Sequence, residues 1–360
     1  MKRINTTEAH LRALSLLTFC AERSDEAIHH VAGLEKRGRE EFFRLADAHH
    51  VIIRALQPLQ GQAREIGDGE LVSIIQSQLD REHDRIGKAL RHLDQVCTRI
   101  KAAGCEVTVI KTLDHWPDFG SDLDLFTAGD ERQLVHVLKN ELRARHCMRT
   151  LGDRIAHKRS FAVPGLTERV ELHVNRLGPV GEHIKLASRF ITRSQSGHFN
   201  EFTFQIPAPD ERVIAGTLQR MYRNLYVRIC DVFNTARLIE SKMLNYVDLR
   251  EAAEEAGVWP GVATFLTLAV DYVKKYRGDR LELPDSVIAS SHFRADRTLV
   301  RGEFFRFPAL PYGFGLYIRQ LRQTAHSGNI PGMARLSLVP PLASIGALAY
   351  AVTGNSGRVW

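Results

Sequence analysis

Asp122 and Asp124 stand two residues apart in the run Asp118-Phe119-Gly120-Ser121-Asp122-Leu123-Asp124-Leu125-Phe126. Leu123, Leu125 and Phe126 give the run strand character, and a strand sends residues i and i+2 to one face. The two carboxylates therefore point together. Such a pair at the edge of an apolar run is costly unless a cation neutralises it. Hard divalent ions such as Mg²⁺ or Mn²⁺ take oxygen ligands of this kind. An Asp-x-Asp pair alone is a weak signal, since most are solvated loop carboxylates. A third carboxylate, Glu171, lies in another apolar alternation, Val170-Glu171-Leu172-His173-Val174. Three acidic groups on adjacent strands suit phosphoryl and nucleotidyl transfer, where metal ions bind a triphosphate and stabilise the leaving pyrophosphate.

The elements around these residues must hold them on neighbouring strands. Glu106-Val107-Thr108-Val109-Ile110 is a β-rich run close enough to the Asp122 strand to be its neighbour. Arg154 to Val163 and Arg169 to Val174 read as two strands joined by Pro164-Gly165, and 130–145 as a helix with Leu134, Val135, Leu138 and Leu142 inside. Residues 1–104 read as helical. Thr6 or Thr7 caps a first helix, a second spans Phe42 to Leu56 and breaks at Gln57-Pro58-Leu59-Gln60-Gly61, and Asp68 caps a long third. In that helix Leu71, Ile75, Leu79, Ile86, Leu90 and Leu93 recur at helical spacing up to Ala103-Gly104. From Asp210 helix dominates again. The expected fold is α+β: a helical N-terminal region (1–104), a small mixed-sheet core (105–209), a helical bundle (210–285) and a basic C-terminal tail region (286–360).

The chain has 360 residues, a formal net charge of +7, and five scattered cysteines with no Cys-x-x-Cys pair. That argues against a zinc site or a disulfide framework and suits a reducing cytoplasm. Met1-Lys2-Arg3 turns polar at once and is no secretory leader. From Ser286 onward eight arginines face two acids, a net +6. Such a region suits an anionic partner, although a solvated basic face reads the same way. Leu336 to Val352 is apolar but broken by Pro340-Pro341, and too short to span a bilayer, which needs about 20 residues. It reads as a packed core helix, with a membrane-contacting helix as the lesser alternative. Adjacent His29-His30 and His49-His50 fall on different helix faces and do not form metal sites.

The Val109-Ile110-Lys111 strand end, then Gly120-Ser121-Asp122-Leu123-Asp124-Leu125, then Glu171-Leu172-His173 resemble the nucleotidyltransferase superfamily (polymerase-β-like). More narrowly they resemble the bacterial "uncharacterised nucleotidyltransferase" family, over roughly residues 35–260. The resemblance implies a small mixed sheet beside a helical bundle, and transfer of NMP from an NTP such as ATP to an acceptor with release of pyrophosphate. It implies Asp122 and Asp124 as paired metal ligands and Glu171 as third ligand or general base. Lys111, Thr112, Gly120 and Ser121 become the expected phosphate-contacting segment. Thr112 stands where the superfamily usually has Gly, and Gly120-Ser121 sits directly before the carboxylates instead. Asp231 resembles a position in the helix after the sheet and reads as a structural partner of Arg228 or Arg237. The acceptor stays open between a small molecule, a protein and RNA. Two other readings compete: an inactive nucleotide- or partner-binding scaffold of the same fold, and an Asp-x-Asp glycosyltransferase, against which the helical first hundred residues argue.

Overall fold

The computed structural model describes residues 6–20 and 24–342. Its N-terminal helices are α1 (Thr6–Phe19), α2 (Asp25–Ala32), α3 (Lys36–Ala48), α4 (Ile52–Glu65) and α5 (Gly69–Ala102). The Asp68 carboxylate accepts from the Leu71 N–H at 2.9 Å and caps α5. One stripe of α5, including Leu71, Ile75, Leu79, Ile86, Leu90 and Leu93, is buried. Gly104, at φ +77°, ends it in the left-handed conformation that glycine adopts without strain.

The expected break at Gln57-Pro58-Leu59-Gln60-Gly61 is absent. Residue 58 sits inside α4, and the chain turns earlier, at His49-His50-Val51, where His50 has φ +51°. A proline inside a helix costs roughly 3 kcal/mol. Ile53, Leu56 and Leu59 are buried on α4, and each such side chain stabilises by roughly 1.5–3 kcal/mol, which outweighs that cost.

The central region contains β1 (Glu106–Val109), β2 (Asp122–Ala128), α6 (Glu131–His136), β3 (Arg145–His146), α7 (Leu151–Ile155), β4 (Lys158–Ala162) and β5 (Arg169–Val174). The stretch expected as one strand from Arg154 begins instead in α7. Thr150 and Asp153 close a capping box there, which starts a helical turn ahead of β4. Among the described residues the main sheet has five strands in the order β1-β2-β5-β4-β3. Only the β2/β5 pair is parallel. Its apolar face carries Leu123, Leu125, Val170, Leu172 and Phe161, all buried.

The chain continues through α8 (Lys185–Thr192), the hairpin β6 (Ser194–Phe199) and β7 (Phe202–Pro207), and α9 (Pro209–Thr217), which runs into a π-helical segment, Leu218–Asn224. The short β8 (Tyr226–Val227) precedes the helices α10 (Ile229–Glu240), α11 (Tyr246–Glu255) and α12 (Trp259–Tyr276). The fold is α+β, with helical regions on both sides of a mixed sheet.

From α12 to residue 342 the chain is folded rather than tail-like. It forms α13 (Asp285–Ser290), the hairpin β9 (Leu299–Arg301) and β10 (Phe304–Arg306), α14 (Phe314–His326) and α15 (Ile330–Leu336). β10 pairs with β8 and so ties this region to the bundle. Several arginines counted as a basic tail have local partners. Arg294 pairs with Asp271, and the Arg306 guanidinium lies 5.1 Å from the Tyr226 ring centre. Most of the apolar Leu336–Val352 run lies outside the described residues. No helix among the described residues is long and apolar enough to cross a membrane.

Candidate active site

Parallel pairing of β2 and β5 sets Asp122 beside Arg169, Asp124 beside Glu171 and Phe126 beside His173. Residues directly opposite in a ladder share a face. Asp122, Asp124, Glu171 and His173 therefore stand together on the face opposite the apolar core. Asp124, Glu171 and His173 each offer a ligand atom within 4.8 Å of the other two.

Two lysines close over these acids. Lys111 Nζ lies 2.6 Å from Asp124 Oδ1. Lys158, on β4, forms an ion pair with Glu171. His173 Nε2 lies 3.2 Å from the same Asp124 oxygen. Burial pulls the His173 imidazole down to about 4, despite its hydrogen bond to Asp124, so it is neutral at pH 7 and donates Nε2–H to the carboxylate. Burial would raise Asp124, but the Lys111 ammonium, and then His173, hold it below the usual carboxylate range. Asp122 has no such partner. Burial, and then the like charges of Glu171 and Asp124, push it up to about 6. The donor set fits a hard divalent cation: three oxygen-bearing groups and an imidazole on one face, one of the carboxyls disfavoured in its charged form for want of positive charge.

The backbone that presents these groups is strained at Lys111. Its φ of +62° and ψ of −50°, with the Thr112 N–H donating to Ile110 O at 2.6 Å, make a γ-turn of the rare, strained kind. The turn projects the ammonium toward Asp124. Thr112 then staples the two strands: its hydroxyl accepts from the Asp124 N–H at 2.8 Å and donates to Asp122 O at 3.1 Å. Thr112 is 2 % exposed, so its hydroxyl serves the strand junction rather than an open phosphate site.

The entry to β2 is clamped from α5. Arg85 donates to Phe119 O at 3.3 Å and Gly120 O at 3.2 Å, and pairs with Glu82 and Glu168 at 2.6 and 2.5 Å. Gly120 is buried in this clamp. Ser121 is exposed, with Oγ 3.4 Å from the Asp122 carboxylate, and it is the member of the expected phosphate segment most open to a ligand. Asp118, from the same run, caps α4 instead of joining the acids: Oδ1 accepts from the Ile53 N–H at 2.6 Å.

Asp231 lies elsewhere. Its carboxylate lies 2.7 Å from Arg220 Nε in an ion pair and accepts from the Arg228 N–H at 2.7 Å, so its charge partner is Arg220, not the Arg228 or Arg237 side chain. Together with His115 and Cys230 it forms a second tight ligand group, fully buried. A narrow cleft lined by Lys111, Asp114, Arg212, Gln219 and Asn234 reaches His115 and Asp231. A neighbouring one passes Lys111, Gln219 and His173. Their volumes, about 30 and 50 Å³, are far below the roughly 300 Å³ of a small-molecule site. A nucleotide would have to meet the carboxylates from the open face.

Lys158 and the Arg85 clamp went unread in the sequence. The alternation in Lys158-Arg159-Ser160-Phe161-Ala162 carried a signal for Lys158. Arg85 sits on a helix face 35 residues from Gly120 and carried none. A scan against protein-family models, a search of curated proteins and a search of solved structures returned no match.

Proposed function

We propose that the protein is a nucleotidyltransferase that moves NMP from an NTP to an acceptor hydroxyl and depends on Mg²⁺ or Mn²⁺. The observation that carries the reading is the convergence of Asp122, Asp124 and Glu171 on one face of adjacent parallel strands. Asp122, Asp124 and Glu171 would hold the metal, with His173 beside them. A bound divalent ion would supply charge neutralisation for the triphosphate and the leaving pyrophosphate. In the reaction the acceptor oxygen bonds to the α-phosphorus as the bond to the bridging oxygen of the β-phosphate breaks. Glu171 takes the acceptor proton. Lys111 and Lys158 exchange their carboxylate partners for phosphate oxygens when the nucleotide enters. Ser121, exposed at the start of β2, offers its hydroxyl to the same oxygens.

The Lys111 and Lys158 ion pairs favour a second reading. They leave Asp124 and Glu171 internally compensated, as suits a scaffold that binds a partner without turnover. Incubation with α-³²P-labelled NTPs, Mg²⁺ and a cell extract as acceptor source separates the two. Labelled product is expected from the native chain, with a loss of at least roughly 10²-fold in Asp122→Asn/Asp124→Asn, since metal charge stabilisation is worth several kcal/mol. Labelling that survives the double variant contradicts the metal role. Binding without labelled product supports the scaffold.

A further inference from the structure

The ladder that aligns Asp122 with Arg169 continues outward. Arg169 pairs with Ala162 on β4, and Ala162 with Arg145 on β3, the last strand of the sheet. Directly opposite residues share a face, so Asp122, Arg169, Ala162 and Arg145 form one row across the carboxylate side. His146, next along β3, belongs to the other side, where its ring meets Phe161 at 5.2 Å. Three strand spacings of about 4.8 Å make the row roughly 14 Å long. It starts at the carboxylates and ends at the open edge.

The edge itself is strongly basic. Between Lys139 and Arg159 seven lysines and arginines face two acids, a net +5 within 21 residues. Arg159 and Lys158 are paired with Glu131 and Glu171. Among the described residues Arg143, Arg145, Arg149, Arg154 and Arg169 have no carboxylate within salt-bridge distance. Arg143, Arg145 and Arg154 are exposed, and Met148 between them is 97 % exposed. Nearby imidazoles register the same field: burial, and then Arg159 and Arg149, lower His146, while burial, and then Arg176, lower His157.

We infer that this edge and row bind single-stranded nucleic acid, with the strand end delivered along Arg145 and Arg169 to the carboxylates as acceptor. The assignment of the end as acceptor rests on the nucleotidyl-transfer reading. Binding of the strand does not. Unpaired guanidinium forks match phosphate oxygens bidentately and stack on unpaired bases. Ala162 leaves the middle of the row low enough for a backbone to cross. An unpaired end is required, because the carboxylates are largely buried in the sheet and a duplex end could not reach them. A membrane surface would meet the same arginines but could not bring a hydroxyl to Asp122.

The test uses the full chain carrying Asp122→Asn/Asp124→Asn, so that binding is read without turnover. Fluorescein-labelled U₂₀ is titrated by anisotropy from 50 to 200 mM salt, with dT₂₀ in parallel. Binding of either is expected to weaken with salt at a log–log slope of about −0.7 per phosphate contacted. Arg143→Glu/Arg145→Glu/Arg154→Glu should weaken it at least tenfold and flatten the slope. Arg319→Glu/Arg322→Glu, on exposed α14 positions, should leave it within twofold. Crosslinking of 5-iodouridine RNA to the unsubstituted edge gives a second readout, free of any folding defect, and is expected within 143–169. No binding at 50 mM salt, crosslinks confined elsewhere, or binding only to phosphatidylserine vesicles would overturn the inference. Binding by this variant, with no NMP transfer to the same strand by the native chain, keeps the surface and defeats the enzyme reading. Transfer to a small acceptor without strand binding does the reverse.

Discussion

Two groups of metal-type ligands lie among the described residues, and they are built in opposite ways. Asp124, Glu171 and His173 stand on the sheet face away from the apolar core, Asp124 buried and the other two half-buried, with Asp122 beside them. Their counter-charges are lysines, on flexible four-carbon stems. His115, Cys230 and Asp231 are buried between the loop after β1 and α10, at the end of a narrow cleft, and their counter-charge is Arg220, 1 % exposed. There, burial drives the imidazole of His115 down to about 3 and the thiol of Cys230 well up, leaving both neutral. Arg220, Arg228 and Arg54 add positive charge around them, which repels a cation. Ligand spacing alone does not separate a site from a strut. The freedom of the counter-charge to leave does.

The largest effect should come from the sealed group. Arg220→Met strands Asp231 in the interior, and breaking a buried pair costs about 3–5 kcal/mol. Urea unfolding should register that loss, with labelled-NTP turnover of the remaining folded protein unchanged. A loss under about 1 kcal/mol would mean Asp231 has other support. The open face should respond differently. Lys158→Met should cost less, about 1–3 kcal/mol, since Glu171 is half-buried and keeps contact with solvent. It should also tighten Mn²⁺ binding by roughly tenfold, the factor that about 1.4 kcal/mol supplies. Weaker Mn²⁺ binding in that variant would break the comparison.

A smaller effect concerns Asp118, which burial pushes up to about 7 although Arg54 and two backbone N–H groups oppose it. Its folded value lies above its unfolded value near 3.8, so the native state binds the extra proton between those limits. Stability contributed by the protonated form is present at acid pH and is lost as pH rises from about 4 through 7. Asp118→Asn keeps the acceptor for Ile53 and has no proton to lose. Urea midpoints of native and variant should therefore converge, or cross in favour of the variant, as pH goes from 4 to 8. Parallel curves would contradict the burial argument.

Much of this was legible in the sequence because it is local. The two-residue period put Asp122 and Asp124 on one face, the alternation around Glu171 marked β5, and Asp68 and Gly104 bounded α5. Contacts across long separations were not legible. Lys158 reaches Glu171 only because β4 returns antiparallel beside β5, and Arg85 meets Gly120 only through the packing of α5. Pro58 misled because a local rule about helix breaking was outweighed by tertiary burial of the residues around it. Asp118 has the same even spacing as Asp122 and Asp124, but it lies in the loop before β2, outside the strand, and meets the start of α4.

The most direct test of the contrast between the open face and the sealed group is Mn²⁺ binding followed by electron paramagnetic resonance in three proteins. The native chain should bind the ion. Asp122→Asn/Asp124→Asn should lose at least tenfold in affinity, and His115→Gln should bind as the native chain does. Unchanged binding in the double variant, or loss in His115→Gln, would contradict the account and move the metal to the interior.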